Sequence, residues 1–284
     1  MEVTASKAVA MLALGLGSFI TGMLPAYFSE SARQRYPLLI SCLLCFGGGV
    51  LLSTSLAHML PEAREKLPEN SELMLCIGFF LVYLVDELVH YFDKTDDSRR
   101  GEEGRRLLSD KLEGDEGNES VEVRSNSSGV IGLLCALFVH SVLEGLAIGL
   151  QESSSQVLLL LGAVASHKYV VGFCLGTELT ESAPGRLCGH IVCIALFAGG
   201  SVLGIAVGAG LEAGAGVGGS AILPTMQALA AGTLMYVTVS EVLPRERSRW
   251  HGLRRGAGMM QFMSVAVGFV LMYLTTKYLD HDDV

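Results

Sequence analysis

The sequence predicts an all-α integral membrane protein with eight transmembrane helices. Half of its 284 residues are hydrophobic and the mean hydropathy is +0.47. Apolar segments that reach the roughly 20 residues needed to cross the hydrocarbon core recur along the whole chain. These segments are uninterrupted, whereas the strands of a membrane barrel alternate apolar and polar residues. Helices are therefore the structure that can satisfy this backbone in lipid.

The eight predicted spans divide the chain into four regions. Spans 1 to 8 cover residues 7–28, 36–60, 73–92, 130–151, 155–178, 187–211, 221–243 and 256–279. Helices 1–3 (residues 1–92) are followed by a segment rich in Gly, Ser and Glu (93–129), which we expect to be a flexible cytoplasmic loop. Helices 4–5 (130–178) and helices 6–8 (187–279) complete the chain.

The distribution of basic residues predicts the orientation, because Lys and Arg accumulate in cytoplasmic loops. With the amino terminus outside, 15 basic residues fall on the cytoplasmic side, and only four, Lys7, Arg64, Lys66 and Lys277, fall outside. We therefore expect both termini to be extracellular. We further expect the protein to reside in the plasma membrane. The net charge of −9 gives no reason to expect a nucleic-acid partner.

An internal repeat relates the two ends of the chain at one constant offset. Gly49, Leu52, Ser55, His58, Leu60 and Pro61 overlie Gly232, Met235, Thr238, Glu241, Leu243 and Pro244. Five spans separate each pair, so the copies cross the membrane in opposite directions. This predicts an inverted repeat of spans 1–3 and 6–8, which is typical of transporters with a midplane site. His58 and Glu241 then stand at opposite mouths.

The central spans carry ionisable side chains that are costly in hydrocarbon: His140 and Glu144 in span 4, and His167 and Lys168 in span 5. His140 and Glu144 are four residues apart and share a helix face, and both histidines fall near the bilayer middle. Two imidazoles and one carboxylate suit Zn²⁺, and Fe²⁺ or Mn²⁺ accept the same donors. The alternative is a structural cluster in which neutral histidines bond between helices and Glu144 is protonated or pairs with Lys168. Four such groups at matching depth favour the metal site.

The segment HSVLEGLAIG, residues 140–149, resembles the span 4 signature of the ZIP (Zrt/Irt-like) family of divalent-metal transporters, and especially of its ZIP1, ZIP2 and ZIP3 branch. The eight spans and the HMLPE and EVLPRE corners fit that family as well. The resemblance implies Zn²⁺ uptake into the cytosol by alternating access, through a 3+2+3 arrangement of the eight helices. Fe²⁺, Mn²⁺ and Cd²⁺ are alternative cargoes, because they accept the same donors. It implies His140, Glu144 and His167 as metal ligands, no enzymatic activity, and no cofactor, since Zn²⁺ is the substrate. A homodimer is left open.

One departure from the family pattern concerns the number of metal ions. Many members hold two adjacent ions through a polar amide in span 4 and carboxylates in span 5, where this chain has Ser141, Lys168 and Val171. We therefore expect a single site, with the Lys168 ammonium in the place of the second ion, and His58, Ser141 and Glu241 tuning or lining the pathway. The alternative function is an intramembrane zinc-dependent hydrolase, because a His/Glu/His site can activate water. The absence of an HExxH segment counts against it.

Overall fold

Eight apolar helices confirm the all-α, eight-span prediction. In a computed structural model that describes residues 2–27, 37–108, 119–182, 187–215, 221–250 and 256–281, no strand occurs in these ranges. Side chains are described except in 93–108, 119–129, 215, 249–250 and 279–281. Spans 1 to 8 run over Val3–Tyr27, Pro37–Lys66, Ser71–Phe92, Val130–Gly149, Ser154–Ser182, Leu187–Gly214, Ile222–Ser248 and Ala257–Tyr278.

The helices of spans 3 and 4 extend into the segment that the sequence predicts as a loop. One helix covers Ser71–Leu108 and the next begins at Glu119. Glu, Lys, Arg and Leu favour helix, and an already formed helix propagates at little cost, so polar residues can continue it beyond the apolar span. Residues 109–118 lie outside the described part of the chain, and the flexibility of the 93–129 segment stays a prediction. Several basic residues used for the orientation, Arg33, Arg35, Arg186, Arg254 and Arg255, also lie outside it.

Spans 2 and 7 each change from α-helix to π-helix before the proline corner predicted as a mouth. Span 2 is α-helical over Pro37–Ser53 and π-helical over Thr54–Met59. Span 7 is α-helical over Ile222–Tyr236 and π-helical over Val237–Val242. The two π segments stand at the same register of the repeat. Each precedes a proline, whose ring crowds the preceding turn and removes one N–H donor, so a widened turn relieves the clash.

Close helix contacts repeat with the same register. The backbone of Gly49 in span 2 meets the carbonyl of Val265 in span 8 so closely that a Cβ would not fit, and Gly232 in span 7 meets Leu75 in span 3 in the same way. The reverse contacts also match, with Gly268 on the carbonyl of Phe46 and Gly78 on that of Leu229. Small residues allow such close packing in membranes. The inverted repeat is thus present in the packing as well as in the sequence.

Spans 4 and 5 are related to each other by the same symmetry. The sequence offset between them is smaller, and it aligns His140 with His167. Gly145 of span 4 packs on the carbonyl of Ser201 in span 6, and Gly172 of span 5 packs on the carbonyl of Ser18 in span 1. Ser18 and Ser201 are themselves equivalent at the offset of the outer repeat. The two histidines therefore occupy equivalent positions, which the sequence analysis did not anticipate. Two further equivalent pairs are Ser141 with Lys168 and Glu144 with Val171.

The contacts sort the spans into two groups of four. Spans 1, 4, 5 and 6, the site bundle, pack on one another, and spans 2, 3, 7 and 8, the flanking bundle, do the same. Within the site bundle, span 5 packs on span 1 and span 4 on span 6, so each central helix joins one copy of the repeat. Span 4 touches spans 3 and 7 of the flanking bundle, while span 5 touches span 2. The four ionisable groups lie where these contacts converge.

Candidate metal centre

Three potential metal-ligand side chains converge between spans 4 and 5. His140, Glu144 and His167 each place one donor atom within 4.8 Å of the other two. Nε2 of His167 lies 2.7 Å from Oε1 of Glu144, and Nε2 of His140 lies 3.8 Å from the same oxygen. All three residues are at most 2% exposed. The three groups that the sequence predicts as metal ligands therefore lie together in the protein interior, and their role as ligands stays a prediction.

These separations are close to what a divalent ion needs. Tetrahedral Zn²⁺ with bonds of about 2.0–2.1 Å sets its donors about 3.3 Å apart. The distances of 2.7 Å and 3.8 Å from Oε1 of Glu144 to the two Nε2 atoms lie on either side of that value. Three protein donors leave a fourth position for water or for an incoming ligand. The donor set therefore fits a site that binds an ion without enclosing it.

The ring of His140 is held by span 7. Its Nδ1 lies 3.1 Å from the carbonyl oxygen of Ala230 and 3.0 Å from the hydroxyl oxygen of Thr233. The Thr233 hydroxyl itself donates to the Ala230 carbonyl at 2.7 Å, so its oxygen accepts from the ring. This arrangement places the proton on Nδ1 and leaves the Nε2 lone pair free to face Glu144, as outer-shell partners of metal-binding histidines do.

Lys168 lies on the far side of the carboxylate. Its Nζ donates to Oε2 of Glu144 at 3.0 Å and to Oγ of Ser141 at 2.9 Å, and it lies 4.7 Å from the centroid of the Phe197 ring. Only 1% of this side chain is exposed. The carboxylate of Glu144 is therefore divided, because Oε1 faces the two imidazoles while Oε2 is bound by the ammonium. A buried charge of this kind needs such partners.

A narrow cavity leads to the donors from the His58 end of span 2. This His58 cavity, of about 20 Å³, is large enough for one water. Its polar lining consists of His58, Glu62, Glu144, His167 and Gln227. Nε2 of Gln227 donates to Oε1 of Glu62 at 2.9 Å, which fixes a carboxylate at the mouth. His58 thus lies in the same cavity as two of the three donors.

A second cavity, the Glu241 cavity, begins at the corner of span 7 and has a volume of about 30 Å³. Its polar end is lined by Glu178, Glu241, Arg245 and Glu246. Arg245 forms ion pairs with Glu241 of its own helix and, at 3.4 Å, with Glu178 of span 5. Its other end is lined by Leu137, Val171 and Leu175 and by none of the three donors. Glu241 is therefore paired with an arginine, at a distance from the metal ligands.

The two cavities are related by the repeat, residue by residue. His58 corresponds to Glu241, Glu62 to Arg245, Gln227 to Leu44, Glu144 to Val171, and Val164 to Leu137. Sequence reasoning did not assign a role to Gln227, Thr233, Glu178 or Arg245. Arg245 carried a usable signal, because it lies four residues after Glu241 on one helix face. Gln227 carried another, as an amide within an apolar span.

The fold and the donor cluster place the chain among multi-pass membrane proteins that bury potential metal-ligand side chains between their helices. The family described as "ZIP Zinc transporter" matches residues 4–276, and the chain therefore belongs to the ZIP family. This is a family of transporters, so the protein is a metal transporter rather than an enzyme, and the alternative of an intramembrane hydrolase is set aside.

Several zinc transporters are similar to the chain over most of its length. Zinc transporter ZIP3 of Homo sapiens is 29% identical and aligns with 87% of this chain and 90% of its own. Zinc transporter ZIP2 of Homo sapiens is 29% identical over 93% and 94% of the two chains. Zinc transporter ZIP1 of Mus musculus is 31% identical over 73% and 70%. The similarity thus extends well beyond the span 4 signature.

Proposed function

We propose that the protein carries Zn²⁺, and divalent ions of similar chemistry, into the cytosol through one site formed by His140, Glu144 and His167. The observation that supports this proposal is the meeting of these three buried donors between two apolar helices long enough to span a membrane. Charged and metal-binding groups at this depth mark ion pathways because their desolvation is costly. The relatives named as zinc transporters supply the cargo class.

Ion binding in this proposal replaces a hydrogen bond. Nε2 of His167 lies 2.7 Å from Oε1 of Glu144, within hydrogen-bond distance. An incoming ion takes both Nε2 lone pairs and Oε1 of Glu144, so the proton shared by Nε2 of His167 and Glu144 is released when the ion binds. When the ion leaves, the contact between His167 and Glu144 can reform. This contact lowers the cost of an empty site and favours release.

Access alternates between the two cavities. The His58 cavity reaches Glu144 and His167, whereas Val171 and neighbouring leucines separate the Glu241 cavity from the donors. We assign this arrangement to the state in which the site faces the His58 end. Movement of the site bundle against the flanking bundle would close that route and open the other, as expected for inverted repeats. The excess of basic residues at the opposite end supports a His58 mouth outside the cell, with both termini on the same side.

The site holds a single ion in this proposal because Lys168 supplies the second positive charge. Its ammonium binds Oε2 of Glu144 and the hydroxyl of Ser141, at the positions where a neighbouring ion would need ligands. Lys168→Met should raise the affinity for Zn²⁺ by about tenfold and slow turnover, since a hydrogen bond to a charged group contributes about 1.5–3 kcal/mol. Lys168→Arg, which keeps the charge, serves as the matched variant. Unchanged affinity and turnover in Lys168→Met would refute the proposal that the Lys168 ammonium takes the place of a second metal ion.

Uptake of radioactive zinc into proteoliposomes tests the function itself. His140→Ala and His167→Ala should each lower the initial rate by at least about 100-fold, since loss of an outer-shell partner alone costs 10–100-fold. Thr275→Ala is the control, because the exposed Thr275 hydroxyl bonds only within span 8, to Leu271. Wild-type vesicles that bind zinc without net flux would contradict transport. Full uptake in both histidine variants would contradict this site.

A further inference from the structure

The two histidines of the site occupy equivalent positions in the repeat but differ in how they are held. Nδ1 of His140 is bound by Ala230 and Thr233 of span 7. Nδ1 of His167 is buried, and among the described residues no group forms a hydrogen bond with it. The difference lies in the flanking bundle, because both rings project from the site bundle. One imidazole is therefore anchored to its surroundings and the other is not.

The repeat identifies the residues that would anchor His167. At the offset that carries Gly49 onto Gly232, Ala230 corresponds to Gly47 and Thr233 to Val50, both in span 2. Gly47 packs on Val170 and Cys174 of span 5, at the first and second turns beyond His167. Gly47 can thus offer a backbone carbonyl to His167, as Ala230 does to His140. Val50 is 3% exposed and has no polar side-chain atom, so the hydroxyl has no counterpart.

An inverted repeat gives this asymmetry a meaning. In such folds, each half adopts in one state the conformation that the other half adopts in the opposite state. The contact between His140 and span 7 then belongs to the state in which the site faces the His58 cavity. In the opposite state, His167 approaches span 2 and His140 leaves span 7. In the state that faces the His58 cavity, a carbonyl and a hydroxyl of span 7 bind the histidine. In the opposite state, only a carbonyl of span 2 is available.

We propose that Thr233 is a state-specific positioning residue: by anchoring His140 to span 7 it favours the His58-facing state, and Val50 denies the opposite state the same anchor. This proposal rests on the alternating access proposed above. The Thr233 hydroxyl acts through His140 and does not itself bind the ion. It also keeps the His140 proton on Nδ1, so that Nε2 is ready for the ion that arrives from the His58 cavity. Loss of the Thr233 hydroxyl should therefore weaken binding of an ion that enters from the His58 cavity. It should also shift the equilibrium towards the opposite state.

Cys174 provides a native reporter of the opposite state, because its thiol is free, the residue is only 7% exposed, and it lines the Glu241 cavity. In full-length protein with the other six cysteines replaced by alanine, the rate of Cys174 modification by a small thiol reagent measures the opening of that cavity. We expect Thr233→Val to increase this rate by about three- to tenfold, the effect of one hydrogen bond. Thr233→Ser, which restores the hydroxyl, should return the rate to that of the parent protein.

Two further variants separate anchoring from general damage. Thr238→Val removes a buried hydroxyl that donates only to Leu234 of its own helix, and it should leave the rate unchanged. Val50→Thr supplies the missing hydroxyl to the opposite state and should increase the rate, most strongly in combination with Thr233→Val. The anchor is refuted if Thr233→Ser or Thr238→Val is modified as fast as Thr233→Val. An unchanged rate in Val50→Thr refutes the role of the repeat.

Zinc uptake by the same variants completes the test. Thr233→Val should raise KM by about three- to tenfold, and Thr233→Ser should restore it. The modification assay does not depend on zinc flux, so the two proposals fail separately. If wild-type protein carries no zinc but the modification rates follow this pattern, the transport proposal fails while the anchor stands. If zinc flux is present and Thr233→Val changes neither the modification rate nor KM, the anchor fails.

Discussion

The two cavities share one architecture and differ in chemistry. The His58 cavity has a carboxylate fixed by an amide at its mouth, and Glu144 and His167 at its inner end. The Glu241 cavity has an arginine between two carboxylates at its mouth, and Val171 at its inner end. A symmetric backbone has therefore been made directional by substitutions at equivalent positions. One cavity is prepared to receive a cation, while the other already contains a positive side chain.

The largest expected effect concerns Glu144, which only one half of the repeat possesses. Glu144→Gln removes the carboxylate that binds Lys168, and an unpaired buried charge costs about 3–5 kcal/mol. We expect a loss of that size in the free energy of unfolding, measured by SDS titration, and loss of zinc binding in calorimetry. The double variant Glu144→Gln with Lys168→Met should regain stability without regaining zinc binding. Recovery of both would contradict the role of Glu144 as a ligand.

A second prediction makes the two central helices alike. Lys168→Asp together with Val171→Glu gives span 5 a carboxylate at the position equivalent to Glu144 and removes the ammonium. We expect bound zinc, measured by elemental analysis after dialysis, to increase from about one to about two ions per chain, because the new oxygens complete a second donor set. Val171→Glu alone should remain at one ion, since Lys168 still fills the position. Two ions in wild-type protein would contradict the single-site proposal.

The packing of the two halves can be compared through their glycines. Gly145→Ala should lower the free energy of unfolding by about 1–3 kcal/mol, because its Cβ would overlap the backbone of span 6. Gly172→Ala should cost less, since its Cβ would lie 3.0 Å from the Ser18 carbonyl. Gly162→Ala has open space around it and should be neutral or slightly stabilising, because alanine favours a helix more than glycine does. Equal stability of all three variants, by SDS titration, would show that the close contacts are not needed.

The smallest expected effect is at the mouth of the Glu241 cavity. Arg245→Gln removes the ion pair that joins span 7 to Glu178 of span 5. Partly exposed pairs contribute about 0.2–1 kcal/mol, so opening of this cavity should increase by about two- to fivefold. The rate of Cys174 modification measures the change, and zinc affinity at the histidine site should not alter. A slower modification rate would indicate that Arg245 holds the cavity open.

Much of the fold could be predicted because membrane insertion depends on local hydropathy. The eight spans lie within a few residues of their predicted bounds, and the i, i+4 spacing of His140 and Glu144 placed both on one face. Helix beyond Phe92 was not predicted, because polar composition resembles that of a loop whether or not it continues a helix. The sequence comparison also missed that spans 4 and 5 belong to the repeat. Their equivalence depends on a few glycines and histidines among residues that differ.

The outer contacts of the site were less accessible to sequence reasoning. A threonine in an apolar helix usually donates to its own backbone, as both Thr233 and Thr238 do, and nothing in the sequence shows that Thr233 also contacts His140. The contact with His140 arises from the packing of span 7 on span 4, which hydropathy does not encode. The pairing of Lys168 with Ser141 was foreseeable only as a pair of departures from a family pattern. Their hydrogen bond required the structure.

The π-helical segments of spans 2 and 7 determine the direction of the charged side chains at the mouths of the two cavities. One residue corresponds to about 100° of rotation around a helix axis. Deleting a single residue from Thr54–Met59 would convert that turn to α-helix and swing Glu62 around the axis, away from the cavity it now lines. The same deletion in Val237–Val242 would re-aim Arg245. The one additional residue in each π-helical segment therefore sets the direction in which a charged side chain points, which is into the cavity.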